Sequence, residues 1–145
     1  MLNGLRRRAA ARRARRRAGR VQRALPEVAD LLRVARQSFV QMQAAWDRAD
    51  LGTLGHLTTE PLLAELREQL ALRGPGPNRT EVLALDARLL ALEELREAFV
   101  ASVEFRGLIR ERLDDTAAPF RELWLLANVK ANGRGWRLAR VQSLS

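Results

Sequence analysis

No cysteine occurs among the 145 residues, which excludes a disulfide framework, a thiolate nucleophile and a zinc–thiolate site. Tyrosine is absent too, and the single histidine is His56. It stands beside Gly55 in a short predicted turn, with no Ser-His-Asp order and no metal-ligand spacing around it, so it reads as a surface or capping residue. The missing tyrosine weighs against an acid–base enzyme, since such sites often pair a placed acid or base with one. No uncharged apolar run approaches the ~18 residues of a membrane span. In the amino-terminal segment the longest uncharged stretch after Arg6 is Ala9–Ala11, too short for the apolar region of a secretory signal. Lysine is nearly missing: of 26 basic residues only Lys130 is one.

The other scarcity is local. Residues 1–23, MLNGLRRRAAARRARRRAGRVQR, contain no acid and ten arginines: Arg6, Arg7, Arg8, Arg12, Arg13, Arg15, Arg16, Arg17, Arg20 and Arg23. The remaining 122 residues hold the other 16 basic residues and all 17 acids, a formal charge of −1 against +10 in the segment. The chain's net +9 thus belongs to a tail, and a nucleic-acid reading of the whole-chain charge would mislead. On a helical wheel the arginines occupy nearly every side, which excludes an amphipathic anchor. Like-charge repulsion predicts a disordered or nascent-helical tail over residues 1–24 and a single domain over 25–145. Attraction to anionic lipid, attachment to RNA or a ribosome, and a transit-like role are the open readings of the tail. With no aromatic residue to stack bases, RNA binding by it would be blind to sequence.

Helical periodicity begins after the tail. Pro26 suits a first helical turn. Val28, Leu31, Leu32, Ala35, Phe39, Met42, Trp46 and Ala49 form one apolar stripe opposite Arg33, Arg36, Gln37, Gln41, Asp47 and Arg48. The pattern predicts a helix of roughly 24 residues with one buried face. Asp50 can cap a short helical turn, LGTLGHL, and Thr58 or Thr59 a second helix that stops at Gly74. A Pro/Gly loop follows, without the Gly-Lys-Ser/Thr of a phosphate loop.

Later residues change period. In FVASVEFRGLI the residues Phe99, Ala101, Val103, Phe105, Gly107 and Ile109 share one face, and Ser102, Glu104, Arg106 and Arg110 the other. PFRELWLLANV and GWRLARVQSL also read as strands, joined by KANGRG with its hairpin-favouring Asn-Gly pair. Residues 81–93 are rich in Leu, Ala and Glu, and propensity alone favours helix there. Helices followed by strands indicate an α+β fold with helices on one face of an antiparallel sheet.

The order FVQMQAAWDRADLGTLGHLTTEPLLAEL, RGPGPNRTEVLALDARLL, ASVEFRGLIRE, PFRELWLL and GWRLARVQ resembles the TIM-forty-four-like family. These are the C-terminal domain of the mitochondrial inner-membrane import-motor anchor and its bacterial relatives. The resemblance spans about residues 28–143. It implies a nuclear-transport-factor-two-like cone, with two N-terminal helices on a curved antiparallel sheet of about four strands around an apolar cavity. It also implies strand for residues 81–93, and a non-catalytic role at a membrane through anionic lipid and a protein partner. The chain departs from the family where Arg140 replaces a customary Gly and Ser143 a customary Gln.

The candidate cavity lining is Phe39, Met42, Trp46, Phe105, Phe120, Glu122, Trp124 and Trp136. Strand alternation sets the Glu122 carboxylate on the apolar face with Phe120, Trp124 and Leu126. An ion pair, a solvent-exposed edge and a working acid are its open readings. Asp86 sits mid-strand, and Asp114-Asp115 reads as solvated loop charge. No metal, cofactor or catalytic residue is expected. The leading expectation is a membrane-associated adaptor, peripheral on the cytoplasmic face of a bacterial inner membrane (or in a mitochondrial matrix). It would bind anionic lipid through its tail arginines and an unnamed protein partner or lipid chain through its body. An RNA- or ribosome-associated factor of the same fold comes second, and a cavity enzyme third.

Overall fold

The computed structural model describes residues 26–73, 79–110 and 116–144. The tail arginines, the stop at Gly74, most of the Pro/Gly loop and Asp114-Asp115 lie outside the described residues. Among the described residues three helices come first: α1 (Pro26–Asp47), α2 (Leu51–Leu57) and α3 (Glu60–Arg73). Four strands follow: β1 (Glu81–Glu94), β2 (Ala98–Arg110), β3 (Ala118–Val129) and β4 (Trp136–Ser143). Each strand pairs antiparallel with its chain neighbour, in the order β1-β2-β3-β4.

The α1 stripe behaves as its spacing predicts. Val28, Leu31, Ala35, Phe39 and Met42 are buried, and Leu32 and Trp46 are half-buried against the same core. The helix ends earlier than the stripe: Ala49 leaves it with φ 55°, and its side chain is exposed. The strand reading of residues 81–93 also stands, since β1 covers them. Helix propensity yields there to pairing with β2 along the strand. Two register shifts interrupt that ladder, at Val82/Ala84 and Leu89/Ala91. The β3–β4 turn uses Gly133 at φ 60° and Gly135 at φ 75°, and Asn132 Oδ1 accepts a hydrogen bond from the Arg134 backbone N–H at 3.1 Å.

The architecture differs from the expected cone in two respects. Among the described residues there are three helices where two were expected. LGTLGHL becomes a full element because Asp50 caps it doubly. Asp50 Oδ1 accepts from Thr53 N at 3.1 Å and Oδ2 from Thr53 Oγ1 at 2.7 Å, which satisfies a donor of the first turn. At the other end Thr58 Oγ1 donates to the Leu54 carbonyl at 2.7 Å, and Thr59 N bonds the Leu138 carbonyl at 2.9 Å. The short helix is thereby tied to β4. The second correction concerns the sheet, which is neither closed nor strongly curled. Each strand pairs only with its sequence neighbour, so β1 and β4 end the sheet as separate edges and do not meet. Bulges bend a strand locally, but they cannot join those edges.

One more link fixes the layers. The Asp47 carboxylate at the end of α1 accepts from the backbone N–H of Thr80 through Oδ2, and from Thr80 Oγ1 through Oδ1 at 3.0 Å. Arg73 at the end of α3 donates to the Trp46 carbonyl at 2.8 Å and lies over the Trp46 ring at 5.3 Å. The ends of α1 and α3 and the start of β1 thus form one corner.

Candidate functional site

The aromatic candidates converge because three elements present them at one level. Phe39 projects from α1; Phe105 and Trp124 come from β2 and β3, two residues out of cross-strand register and so on the same face. Phe39 lies 4.8 Å from Phe105, 5.3 Å from Phe120 and 5.1 Å from Trp124, ring centre to ring centre. Phe105 meets Trp124 edge-on at 5.0 Å. The contacts of Phe39 with Phe120 and Trp124 are stacked and that with Phe105 is tilted. Met42 joins the same core, while Trp46, Phe120 and Trp136 are partly buried around it.

Glu122 is the one carboxylate in this group, and only 2 % of it is exposed. The Trp124 indole Nε1 donates to its Oε1 at 3.1 Å. Cross-strand it faces Phe105 on one side and Ser143 on the other. The sequence placed Glu122 correctly on the inner face. The Trp124 bond needed the tertiary structure, because i and i+2 on a strand share a face but do not by that fact touch. Asp86, by contrast, is exposed on the opposite face of the sheet, away from the aromatic cluster. His56 is exposed in the last turn of α2.

A second set of charges was missed by the sequence reading as a cluster. Glu104, on the outward side of β2, is only 5 % exposed. Its Oε1 accepts from Arg106 Nε at 3.0 Å and its Oε2 from Arg121 Nε at 3.3 Å. Alternation alone marks Glu104 as solvent-facing. The signal that would have found its burial is the β2–β3 register, which sets Arg121 directly across from Arg106. Gln43 is the other miss, a buried polar side chain on α1 beside the apolar stripe.

The ionisation of Asp50 is clearly displaced. Its carboxyl is held below the usual value of 3.8, first by the hydrogen bond from the Thr53 hydroxyl and then by that from the Thr53 backbone N–H. The cause is helix capping, with a smaller contribution from the positive charge of Arg48. Among the described residues no group of three or more His, Cys, Asp or Glu could hold a metal ion. Among the same residues no helix is long and apolar enough to cross a membrane.

No family model matches the chain, and no curated protein matches it. Solved structures are similar to it at low identity. One is a nuclear transport factor 2 (NTF2-like) superfamily protein from Salmonella enterica serovar Typhimurium. It has a TM-score of 0.46 and 12% identity over 81% of this chain and 92% of that one. Another is a ketosteroid isomerase-like protein from Erwinia carotovora atroseptica, with a TM-score of 0.42 and 15% identity over 79% of this chain and 96% of that one. Likeness at this level carries nothing about activity. The narrower TIM-forty-four-like resemblance is not singled out by it.

Proposed function

We propose that the chain is a non-catalytic adaptor held peripherally to an anionic membrane, at the cytoplasmic face of a bacterial inner membrane. The observation that carries this reading is the division of charge. Ten arginines and no acid stand in residues 1–23, ahead of a body of formal charge −1. Near an acidic bilayer each basic residue contributes about 1 kcal/mol. Ten give at most roughly 10 kcal/mol, before the cost of confining the segment and before salt screening. That is ample for reversible attachment without apolar insertion. The TIM-forty-four-like resemblance supports the same role.

The body is the part that engages a protein partner. We infer a surface contact, since the rings of Phe39, Phe105, Phe120 and Trp124 lie against one another in the core. Glu122 supports the non-catalytic reading through its bond to Trp124, which gives this carboxylate a structural task.

The test is vesicle binding by the full chain. Binding is expected to vesicles rich in acidic lipid, with none to neutral ones and release as salt rises through a few hundred millimolar, where the screening length falls to a few ångström. Deleting residues 1–23 should abolish most of the binding and leave the body folded. Structured and single-stranded RNA, offered at equal charge and physiological salt, separates the competing polyanion. If RNA strips the protein from vesicles, the chain is an RNA- or ribosome-associated factor instead.

A further inference from the structure

All three helices lie against one face of the sheet, and among the described residues no element covers the other. The open face reads in rows across the strands. One row runs Arg88, Glu104, Leu123 and Gln142, and the next Asp86, Arg106 and Arg121. Arg106 and Arg121 are therefore direct cross-strand partners, an arrangement in which like charges repel. Glu104, buried beneath them, offsets this with one oxygen to each Nε.

That geometry leaves each guanidinium half used. The Nε of each faces the carboxylate, while the Nη1 and Nη2 nitrogens of both arginines make no hydrogen bond to a described residue. The two side chains are 58% and 42% exposed. Arg88, the β1 register partner of Glu104, is exposed and adds a third cation with no ion pair among the described residues. Asp86, the β1 register partner of Arg106, is exposed and stands outside ion-pair distance of it. On β4, Arg140 has a buried Nη1 with no acceptor among the described residues. The opposite side of the molecule has the other sign: residues 26–73 carry five arginines against seven acids.

We propose that Arg106 and Arg121, set side by side by Glu104, seat the phosphate groups of an anionic lipid surface. This is a second contact beside the arginine tail, and it rests on the membrane reading above. The Nη1–Nη2 edge of a guanidinium presents two parallel donors matched to two oxygens of one phosphate. An uncovered sheet face lets a bilayer reach both forks at once, while the acidic helical layer turns away from it.

Because the chain lacks cysteine, single labels report orientation. A fluorophore is attached at Leu108→Cys, an exposed position on the open face, or at Val40→Cys, an exposed position on α1. With vesicles of phosphatidylcholine and phosphatidic acid carrying a nitroxide lipid, the label at position 108 is expected to be quenched and that at position 40 to be spared. Each basic residue near such a surface is worth about fivefold in binding, so R106Q/R121Q should weaken attachment about thirtyfold. Removing both arginines strands the buried Glu104 carboxylate, so E104Q/R106Q/R121Q is measured beside it, with a thermal melt to verify folding. R106K/R121K, which keeps charge without the fork, should fall between these and the parent.

If the protein binds these vesicles but label 108 is spared and the glutamine variants bind like the parent, the seat is refuted and the tail alone holds the membrane. No vesicle binding at all removes the membrane reading and the seat together. Equal occupancy by inorganic phosphate, lost in the variants, would make this a soluble-phosphate site and overturn the lipid assignment. Protection of label 108 by RNA or by self-association without lipid would overturn it as well.

Discussion

The indole Nε1 of Trp124 donates to the Oε1 of Glu122 at 3.1 Å, two residues apart on one strand and both inside the core. The pair joins the largest buried ring to a buried carboxylate. Glu122→Ala leaves the indole N–H without this acceptor, and a buried unsatisfied donor costs about 1–3 kcal/mol. Glu122→Gln keeps a carbonyl oxygen there. Urea unfolding should rank the glutamine variant clearly above the alanine one. Equal midpoints would show that the bond contributes nothing.

Gly107 is required for a spatial reason. A Cβ there would lie 1.9 Å from the Ala84 carbonyl oxygen and 3.0 Å from a Phe120 ring carbon. The nearest obstacle is backbone beside a register shift of β1, so it cannot rotate aside. Gly107→Ala should cost about 3 kcal/mol, the upper end of overpacking. A loss below about 1 kcal/mol would mean that β1 and β2 separate there without consequence.

Ala49 holds a left-handed backbone at φ 55°, which costs an L-residue roughly 1–2 kcal/mol. Glycine removes that strain and loses part of the gain to the freedom of its unfolded chain. Ala49→Gly should therefore raise the melting temperature by a few degrees, the shift expected for about 1 kcal/mol. A lower melting temperature would refute the strain.

Asp50 predicts an acid limb. Its folded carboxyl titrates below its ordinary value of 3.8. The group therefore adds stability that is fully present above about pH 4 and is lost as pH falls through the lower folded value. Asp50→Asn retains a capping oxygen and removes the charge. Melts of the two proteins should differ less at pH 2 than at pH 6. A gap that is constant or widens toward acid would contradict the cap's ionic character.

Core truncations should separate centre from margin. Phe39 is fully buried among three other rings, so Phe39→Ala should cost about 3–5 kcal/mol. Trp46 is only half-buried, with Arg73 over its ring, and Trp46→Ala should cost less. The reverse order in chemical denaturation would place the structural centre at the Trp46 corner.

The α1 stripe was legible from residue spacing because one helix face repeats every 3.6 residues, whatever lies opposite. The inner face of β2 was legible by the same logic at period two, and the Asn-Gly turn by its tolerance of positive φ. Glu122 could be assigned to its face, and the tail could be separated from the body by counting charges. The resemblance then carried residues 81–93 to strand, where propensity pointed the other way.

Counting charges and reading periods needs only neighbours in the chain, so the arginine segment, the buried helical stripe and the inward strand residues followed from chain chemistry alone. Registers, layers and edges depend on residues far apart. The Asp50–Thr53 cap and the Thr59–Leu138 bond together made a third helix of a short turn. Pairing limited to sequence neighbours left the sheet open where a cone was expected. The β2–β3 register brought Arg106 and Arg121 side by side over Glu104 and turned an outward acid into a buried one. Burial of a charge depends on what stands across the sheet, and that is set only when distant strands pair.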